Sequence, residues 1–301
     1  MQILKKKIAF IISVLLFVFL LWYLFVKPYD YLVSMTYRTS AGTINQSVKS
    51  WSKAKKNNIL LRSKDFFNIE QQWQFNDSVH KYHWKITPVN DSTTKVKLYI
   101  KDETNSFMNK LVLPFYTSNF EQRTKRNIFD FNRSVTEHIG NFKVQVEDSL
   151  QQPPSSYCAY ISIQSTQLLK AKGMMRNYPI LSGMLADNKV ELNGRPFIEI
   201  TNWNRSKDSL SFNFCFPIIK SDSLPQSGPL KYKEFKGQKS LKAVYNGNYI
   251  TSDRAWYALL DHAQKKGYEV SEAPVEVFYN NPNFGGDELQ WTAEIYMPIK
   301  Q

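Results

Sequence analysis

GRPFIEITNW (residues 194–203) and EAPVEVFYNN (residues 272–281) decide the fold, because they are one device used twice. Pro196 and Pro274 each open a strand that carries a glutamate, Glu199 in the first and Glu276 in the second. A second strand follows each: SLSFNFCFPIIK (residues 209–220) and LQWTAEIYMPIK (residues 289–300). These close alike, on Phe216-Pro217-Ile218 and Met297-Pro298-Ile299. Working backwards, each pair is preceded by a further strand, YCAYISIQ (157–164) or KSLKAVYNG (239–247), and then by a helix. The second helix is well marked. Thr251 or Ser252 is the expected N-cap and Asp253 the acidic first turn. Ala255, Trp256, Leu259, Leu260 and Ala263 form its apolar face, and Gly267 is its stop. The C-terminal half is therefore a duplicated strand–helix–strand–strand unit.

The last strand poses a chemical question. Alternation puts Gln290, Thr292, Glu294 and Tyr296 on one face, and Trp291, Ala293, Ile295 and Met297 on the other. The second set is apolar and is expected to pack on the helices. The first holds a carboxylate, which is unfavourable in a half-buried strand unless something pairs with it. The residues alone leave Glu294 either on a solvated face or in a cleft. In the first unit Ser211, Asn213 and Cys215 alternate with Leu210, Phe212, Phe214 and Phe216. Asn213 is then the counterpart of Glu294, and only one unit offers a carboxylate at that place.

NGNY (246–249), AWYALLDHAQKKGY (255–268), PVEVFYNNP (274–282) and TAEIYMPIK (292–300), in that order and in a duplicated frame, resemble the GyrI-like family of effector-binding domains. The resemblance covers about residues 156–301. It implies two modules related by a pseudo-two-fold axis, with small apolar or cationic molecules bound between them. It also implies a last-strand glutamate facing that cleft among aromatics. On this reading Glu294, Tyr296, Thr292, Asn213, Trp203, Tyr160 and Tyr245 are the expected ligand-binding residues. Some family members resemble hydrolases of cyclopropane-containing compounds. In an enzyme of that kind Glu294, with a raised pKa, is the expected general base. Glu276 and Tyr279 are expected to be structural.

The N-terminus is of another kind. Residues 8–26, IAFIISVLLFVFLLWYLFV, hold no charge. As a helix they span about 28 Å, close to the hydrocarbon thickness of a bilayer. Lys5, Lys6 and Lys7 precede the run, Trp22 and Tyr23 lie near its distal end, and no A-x-A-like cleavage site follows. A single-pass anchor is expected. The lysines then lie in the cytoplasm and the later domains outside it, in the periplasm if the cell is Gram-negative.

Between these regions the order is strand (31–39), helix with Ile44, Val48 and Trp51 at helical spacing, and strands at 69–75, 80–89 and 94–103. A long helix follows at about 117–139, striped by Phe120, Ile128, Phe131, Val135 and Ile139. The turn at 89–95, VNDSTTK, is rich in turn formers. This order resembles the START/polyketide-cyclase-like superfamily, in which a curved antiparallel sheet grips a long helix. The resemblance implies an apolar cavity, which Trp73, Tyr82, Trp84, Phe107 and Phe115 are available to line, although an ordinary core accounts for most of them more simply. The expected class is α+β, with a cytoplasmic tip and anchor (1–29), a START-like domain (30–146), a linker stiffened by Pro153-Pro154 (147–156) and the GyrI-like domain (157–301).

The net charge of +13 is spread along the chain, densest in KSWSKAKK (49–56), and no nucleic-acid motif accompanies it. Cys158 and Cys215 are too few for a disulfide scaffold, and whether they pair is open. His80 and His83, at i, i+3 in a strand, point to opposite faces and make no metal pair. No phosphate loop, HExxH or G-x-S-x-G is present, so no cofactor is expected. Three functions remain: an anchored binder of a small apolar or cationic molecule, a hydrolase using Glu294, and a structural or partner-binding envelope protein.

Overall fold

Uniform apolarity, strict alternation and a duplicated strand pattern lead to three different structures along this chain. They are seen in a computed structural model that describes residues 2–61, 65–90, 92–226 and 228–300, with side chains from residue 4 onward. Asp91, within the expected turn at 89–95, lies outside the described residues. The apolar run forms α1 (Gln2–Leu21), which continues as a π-helical turn over Trp22–Val26. Residues Leu4–Val26 are long and apolar enough to cross a membrane.

The chain divides into two compact units, one of Met1–Tyr37, Trp51–Thr87 and Lys95–Ser134, the other of Arg38–Ser50, Pro88–Thr94 and Val135–Gln301. The elements that follow α1 are β1 (Tyr31–Tyr37), α2 (Ala41–Ala54), β2 (Asn58–Leu60), β3 (Asn68–Gln74), β4 (Val79–Asn90), β5 (Thr93–Asp102), α3 (Ser106–Val112) and α4 (Asn119–Gly140). The five strands form one sheet in the order β1-β5-β4-β3-β2. In β5 Val96, Leu98 and Ile100 are fully buried and alternate with exposed lysines, as period-two patterning requires. Phe131 of α4 packs on Trp84 (centroids 4.6 Å apart) and Trp51 (5.4 Å), and Trp51 on Trp73 (5.2 Å). Trp73, Tyr82 and Trp84 are thus core residues packed on neighbouring rings, and Phe107 and Phe115 are exposed at 45% and 78%. For Trp73, Tyr82 and Trp84 this is the ordinary core that the sequence also allows, and the exposed Phe107 and Phe115 lie outside it.

The second unit continues with β6 (Phe142–Val146), β7 (Ser156–Ser165), α5 (Lys170–Asp187), β8 (Phe197–Asn204), β9 (Ser209–Pro217), β10 (Lys231–Phe235), β11 (Ser240–Gly247), α6 (Arg254–Lys266), β12 (Val275–Phe278) and β13 (Thr292–Pro298). Its eight strands run β10-β7-β9-β8-β12-β13-β11-β6. The order is symmetric about the β8–β12 pair, with β7-α5-β8-β9 and β11-α6-β12-β13 as the two modules. The register fixes the axis: Val275 pairs with Glu199, Glu276 with Ile198 and Val277 with Phe197. Ile198 and Glu276 are thus counterparts facing each other across the pseudo-dyad. The outer strands β6 and β10 complete the symmetry. The expected linker at 147–156 does not separate the sheets, because β6, before it, pairs with β11. The alternating Phe142, Val144 and Val146 pack against the same core as Leu241, Ala243 and Tyr245.

α6 ends where expected. Gly267 takes a left-handed conformation (φ 73°) that a Cβ would strain, and its N–H closes on Gln264 and Ala263 carbonyls. Its start differs from expectation. Asp253 is the N-cap, a 3-10 turn at Tyr249–Thr251 comes first, and Ser252 turns inward to bond Glu276.

Truncating a ring at the centre of the first unit leaves a void that its neighbours cannot fill. Phe131→Ala is expected to cost about 3–5 kcal/mol, read as an earlier transition in urea unfolding of the full chain in detergent micelles.

Candidate functional site

Two places in the second unit have the chemistry of a site, and they lie on opposite faces of the eight-stranded sheet. The first is the face of Glu294. Ala293, Ile295 and Met297 are fully buried in the helix-side core, so the alternate residues Thr292, Glu294 and Tyr296 point the other way. Glu294 Oε1 lies 2.8 Å from Lys242 Nζ. Its Oε2 accepts hydrogen bonds from Tyr279 Oη and Tyr296 Oη, each at 2.7 Å. Lys242 is shared with Glu147 at 3.2 Å. Burial works to raise the Glu294 pKa, but the bonds from Lys242, Tyr296 and Tyr279 outweigh it and hold the carboxyl below its ordinary value. The expected upward shift is therefore absent. Glu294 is an ionised, three-times-bonded carboxylate, poorly suited to take a proton near neutral pH. Burial and the Glu294 charge push the phenol of Tyr296 upward, so it remains a donor.

The other expected site residues fall as follows. Asn213 sits four residues before Pro217, as Glu294 sits four before Pro298. Asn213 Nδ2 donates to Glu199 Oε2 at 2.9 Å, and its Oδ1 accepts from Ser162 Oγ at 2.9 Å. Glu199 is ion-paired with Lys233, whose ammonium lies over the Tyr160 ring at 5.2 Å. The first module therefore carries a carboxylate on this face too, one strand over. The expected asymmetry is replaced by a lysine-paired carboxylate in each module. Thr292 Oγ1 accepts from Asn246 Nδ2 at 3.0 Å.

Trp203 and Tyr245 are on the other face. A bulge between Ile200 and Asn202 inserts Thr201 and inverts the parity of β8 beyond it. Trp203 consequently packs on Trp256 (4.9 Å) and donates Nε1–H to Gln167 Oε1 (3.1 Å). Tyr245 is fully buried, with Oη 2.9 Å from Asn248 O. These two are core residues on the opposite face of the sheet from Glu294. Cys158 and Cys215 are buried free thiols in the small cluster with Phe197, Val275, Val277 and Tyr296.

The second place is a cavity of about 730 Å³ on the helix side. One wall is α5, through Ala171, Met174, Met175, Tyr178 and Ser182. Its floor is the aromatic set Phe214, Tyr249, Phe278 and Trp291, and its mouth is formed by Arg195 and the asparagines 280, 281 and 283. Pro179 lies inside α5, so the wall lacks one backbone hydrogen bond there. The aromatics are held in place. Tyr249 Oη donates to Thr292 O at 2.7 Å and accepts from Asn280 N–H at 3.1 Å, and its ring meets Phe278 at 4.9 Å. Among the described residues Arg195 is the only charged side chain in the lining. Its guanidinium stacks over Tyr279 at 4.2 Å and donates to the Tyr279 carbonyl at 3.1 Å. Tyr279 therefore touches both places: its ring and backbone are at the mouth, and its hydroxyl is on Glu294.

Beneath the sheet's midpoint lies a fully buried ion pair. Lys170 Nζ is 2.7 Å from both Glu276 oxygens and 2.7 Å from Ser252 Oγ, and 5.1 Å above the Trp256 ring. Glu276, expected from the sequence to be structural, is fully buried in this pair. Its lysine partner was not foreseen, because the two are 106 residues apart. Among the described residues no group of three His, Cys, Asp or Glu could hold a metal.

Residues 172–300 match the model of the GyrI-like small molecule binding domain, so the C-terminal unit carries that domain. No curated protein matches the sequence. Among solved structures, the chain is similar to the EcmrR C-terminal domain, at 13% identity and a TM-score of 0.44, over 53% of this chain and 98% of that one. It is also similar to EcmrR in its DNA complex, at 14% identity and a TM-score of 0.44, over 60% and 68%. A hydrolase from Listeria innocua aligns at 9% identity and a TM-score of 0.34, over 56% and 98%.

Two outcomes follow from these pairings. Glu276→Ala strands a desolvated ammonium and is expected to cost about 3–5 kcal/mol, whereas replacing both partners by apolar residues, Glu276→Leu with Lys170→Met, recovers most of it. Denaturant titration of the three chains checks this. For Glu294, whose folded pKa is depressed, the stabilisation is complete above the ordinary carboxylate value of 4.5 and is lost as pH falls through the folded pKa. Glu294→Gln is therefore less stable than wild type at neutral pH, and the two melting curves converge in acid. A constant gap across pH would show that the carboxylate's charge is not what matters.

Proposed function

We propose that this protein is a membrane-anchored binder of a small, neutral, largely apolar organic molecule, held in the helix-side cavity of its GyrI-like unit. The observation that carries the reading is the composition of the cavity: about 730 Å³, walled by methionines and ordered aromatics, with asparagine amides at the mouth and no carboxylate in the lining. That is the make-up of a drug-sized ligand site, where apolar area supplies affinity and a few polar groups orient the guest. Met174 and Met175 add adaptability to differently shaped guests.

A cationic ligand has less support. Its natural anchor, Glu294, is on the opposite face and already balanced by Lys242. The same pairing and its lowered pKa speak against a hydrolase that uses Glu294 as base. Glu294 acts on the site indirectly, by holding Tyr279 at the mouth.

The apolar helix at Leu4–Val26 is the proposed anchor. The lysines at 5–7 place its N-terminal end in the cytoplasm by the positive-inside bias, and the two units outside it. The five-stranded unit, with its ring-packed core, is the proposed spacer or interaction surface.

Thermal-shift titration with panels of neutral aromatics and lipophilic cations tests the reading. A neutral compound at about 100 times its Kd adds about 2.7 kcal/mol to stability. Ser182→Trp, which fills the cavity, is expected to abolish that shift, and Glu294→Gln to retain most of it. Stabilisation by cations only, lost in Glu294→Gln and kept in Ser182→Trp, would move the site to the other face.

A further inference from the structure

α3 is inside out. In a helix on a soluble unit the apolar side is buried and the polar side wet. Here Asn109 and Lys110 are the buried residues, at 7% and 3% exposure, while Phe107, Met108 and Leu111 face outward at 45%, 57% and 39%. The segment beyond the helix continues the pattern, with Phe115 at 78% and Tyr116 at 75%. Across residues 104–118, TNSFMNKLVLPFYTS, the only charged side chain is Lys110, and it points inward.

The inward side is joined to the end of the apolar helix. Lys110 Nζ donates to the carbonyls of Leu24 (3.2 Å) and Lys27 (2.6 Å), the free acceptors of a helix C-terminus. Asp30, buried at 4%, accepts from Ser106 Oγ at 2.5 Å and from the Asp102 backbone N–H at 2.9 Å. Phe107 and Phe25 rings meet at 5.6 Å. The exposed apolar side of α3 is therefore continuous with the outer end of the span, which itself exposes Phe25 at 68% and Val26 at 65%. Lys27 lies over the rings of Tyr23 (4.7 Å) and Tyr29 (4.6 Å), a cation and aromatics grouped as at a membrane interface.

We propose that α3 and residues 113–117 form a membrane-surface element that seats the five-stranded unit in the headgroup–acyl boundary beside its own span. The occupant of this face is the lipid bilayer. The junction made by Lys110 and Asp30 holds the face beside the point where the apolar helix ends, and a helix with apolar side chains outward is stable where the solvent is lipid. The proposal rests on the anchor reading above.

The test uses the full chain in phosphatidylcholine–phosphatidylglycerol vesicles, with an environment-sensitive fluorophore on Phe17→Cys, Phe115→Cys or Phe129→Cys. The native Cys158 and Cys215 are fully buried and stay unlabelled. Phe129, 70% exposed on α4, is the aqueous control. Brominated acyl chains are expected to quench the labels at 17 and 115 and not that at 129, while iodide quenches only 129. Lipid quenching at 17 with iodide quenching at 115 would overturn the docking and leave the anchor standing. A label at 115 shielded from both quenchers would assign the face to protein, a second copy included, and also overturn it. Absence of lipid quenching at 17 would overturn the anchor reading and the docking with it.

Discussion

One antiparallel seam makes the C-terminal unit a single structure. β8 and β12 are the counterpart strands of the two modules, and their pairing joins two four-stranded halves into one eight-stranded sheet. The pairing is self-complementary, as any two-fold contact is. At its centre the two sequences have diverged: Ile198 faces Glu276. A carboxylate at the middle of a buried seam is tolerable only with a partner, and Lys170 supplies it from the first turn of α5. Ser252, in the turn before α6, bonds both members. A side chain of the first module is thereby tied to a strand and a turn of the second. Replacing this triad with hydrocarbon need not destabilise the unit, but breaking it does.

Beside the seam the two modules are not alike. A strictly symmetric pair of modules would offer two equivalent hollows beside the axis. Here α5, with Pro179 and two adjacent methionines, forms a wall against module-two segments: the turn at Asn248–Ile250 and the loop from Tyr279 to Asn283. The counterpart helix α6 instead carries Trp256 and Tyr257, which are buried against Trp203. Divergence of the two helices, rather than of the two last strands, distinguishes the cavity side from the packed side.

How much of this was legible follows from the range of each interaction. The duplication, the strand faces and the equivalence of Asn213 with Glu294 were readable, because proline landmarks and period-two alternation are local. Gly267 as a helix stop was readable for the same reason. The parity of Trp203 was not, since one inserted residue, Thr201, reverses it with no sequence signature of its own. The partners of Glu294 were not, because Lys242 comes from a neighbouring strand and Tyr279 from the loop after another, and without them burial would raise its pKa. The pairing of β6 with β11 was not legible either, because the proline-rich stretch that follows β6 reads as a domain boundary. α3 was missed altogether: it is short, and its burial pattern is the reverse of what a sequence rule for soluble helices seeks.

The Glu294 network then takes on a different meaning. Its expected role is direct contact with a ligand; in the structure its oxygens are taken up by Lys242, Tyr279 and Tyr296. Tyr279 has four constraints: its hydroxyl on Glu294, its ring under Arg195, its carbonyl on an Arg195 N–H, and its own N–H on the Thr292 carbonyl. A guest that displaces Tyr279 from the mouth must break the bond to an ionised carboxylate, a charge-assisted contact stronger than a neutral one. Glu294 would keep Lys242 and Tyr296, so it would remain ionised and paired. The cost of opening therefore falls on one hydrogen bond and one stacking contact, while the sheet beneath is unaffected. A mouth residue held this way can yield to a ligand without loosening the fold that presents it.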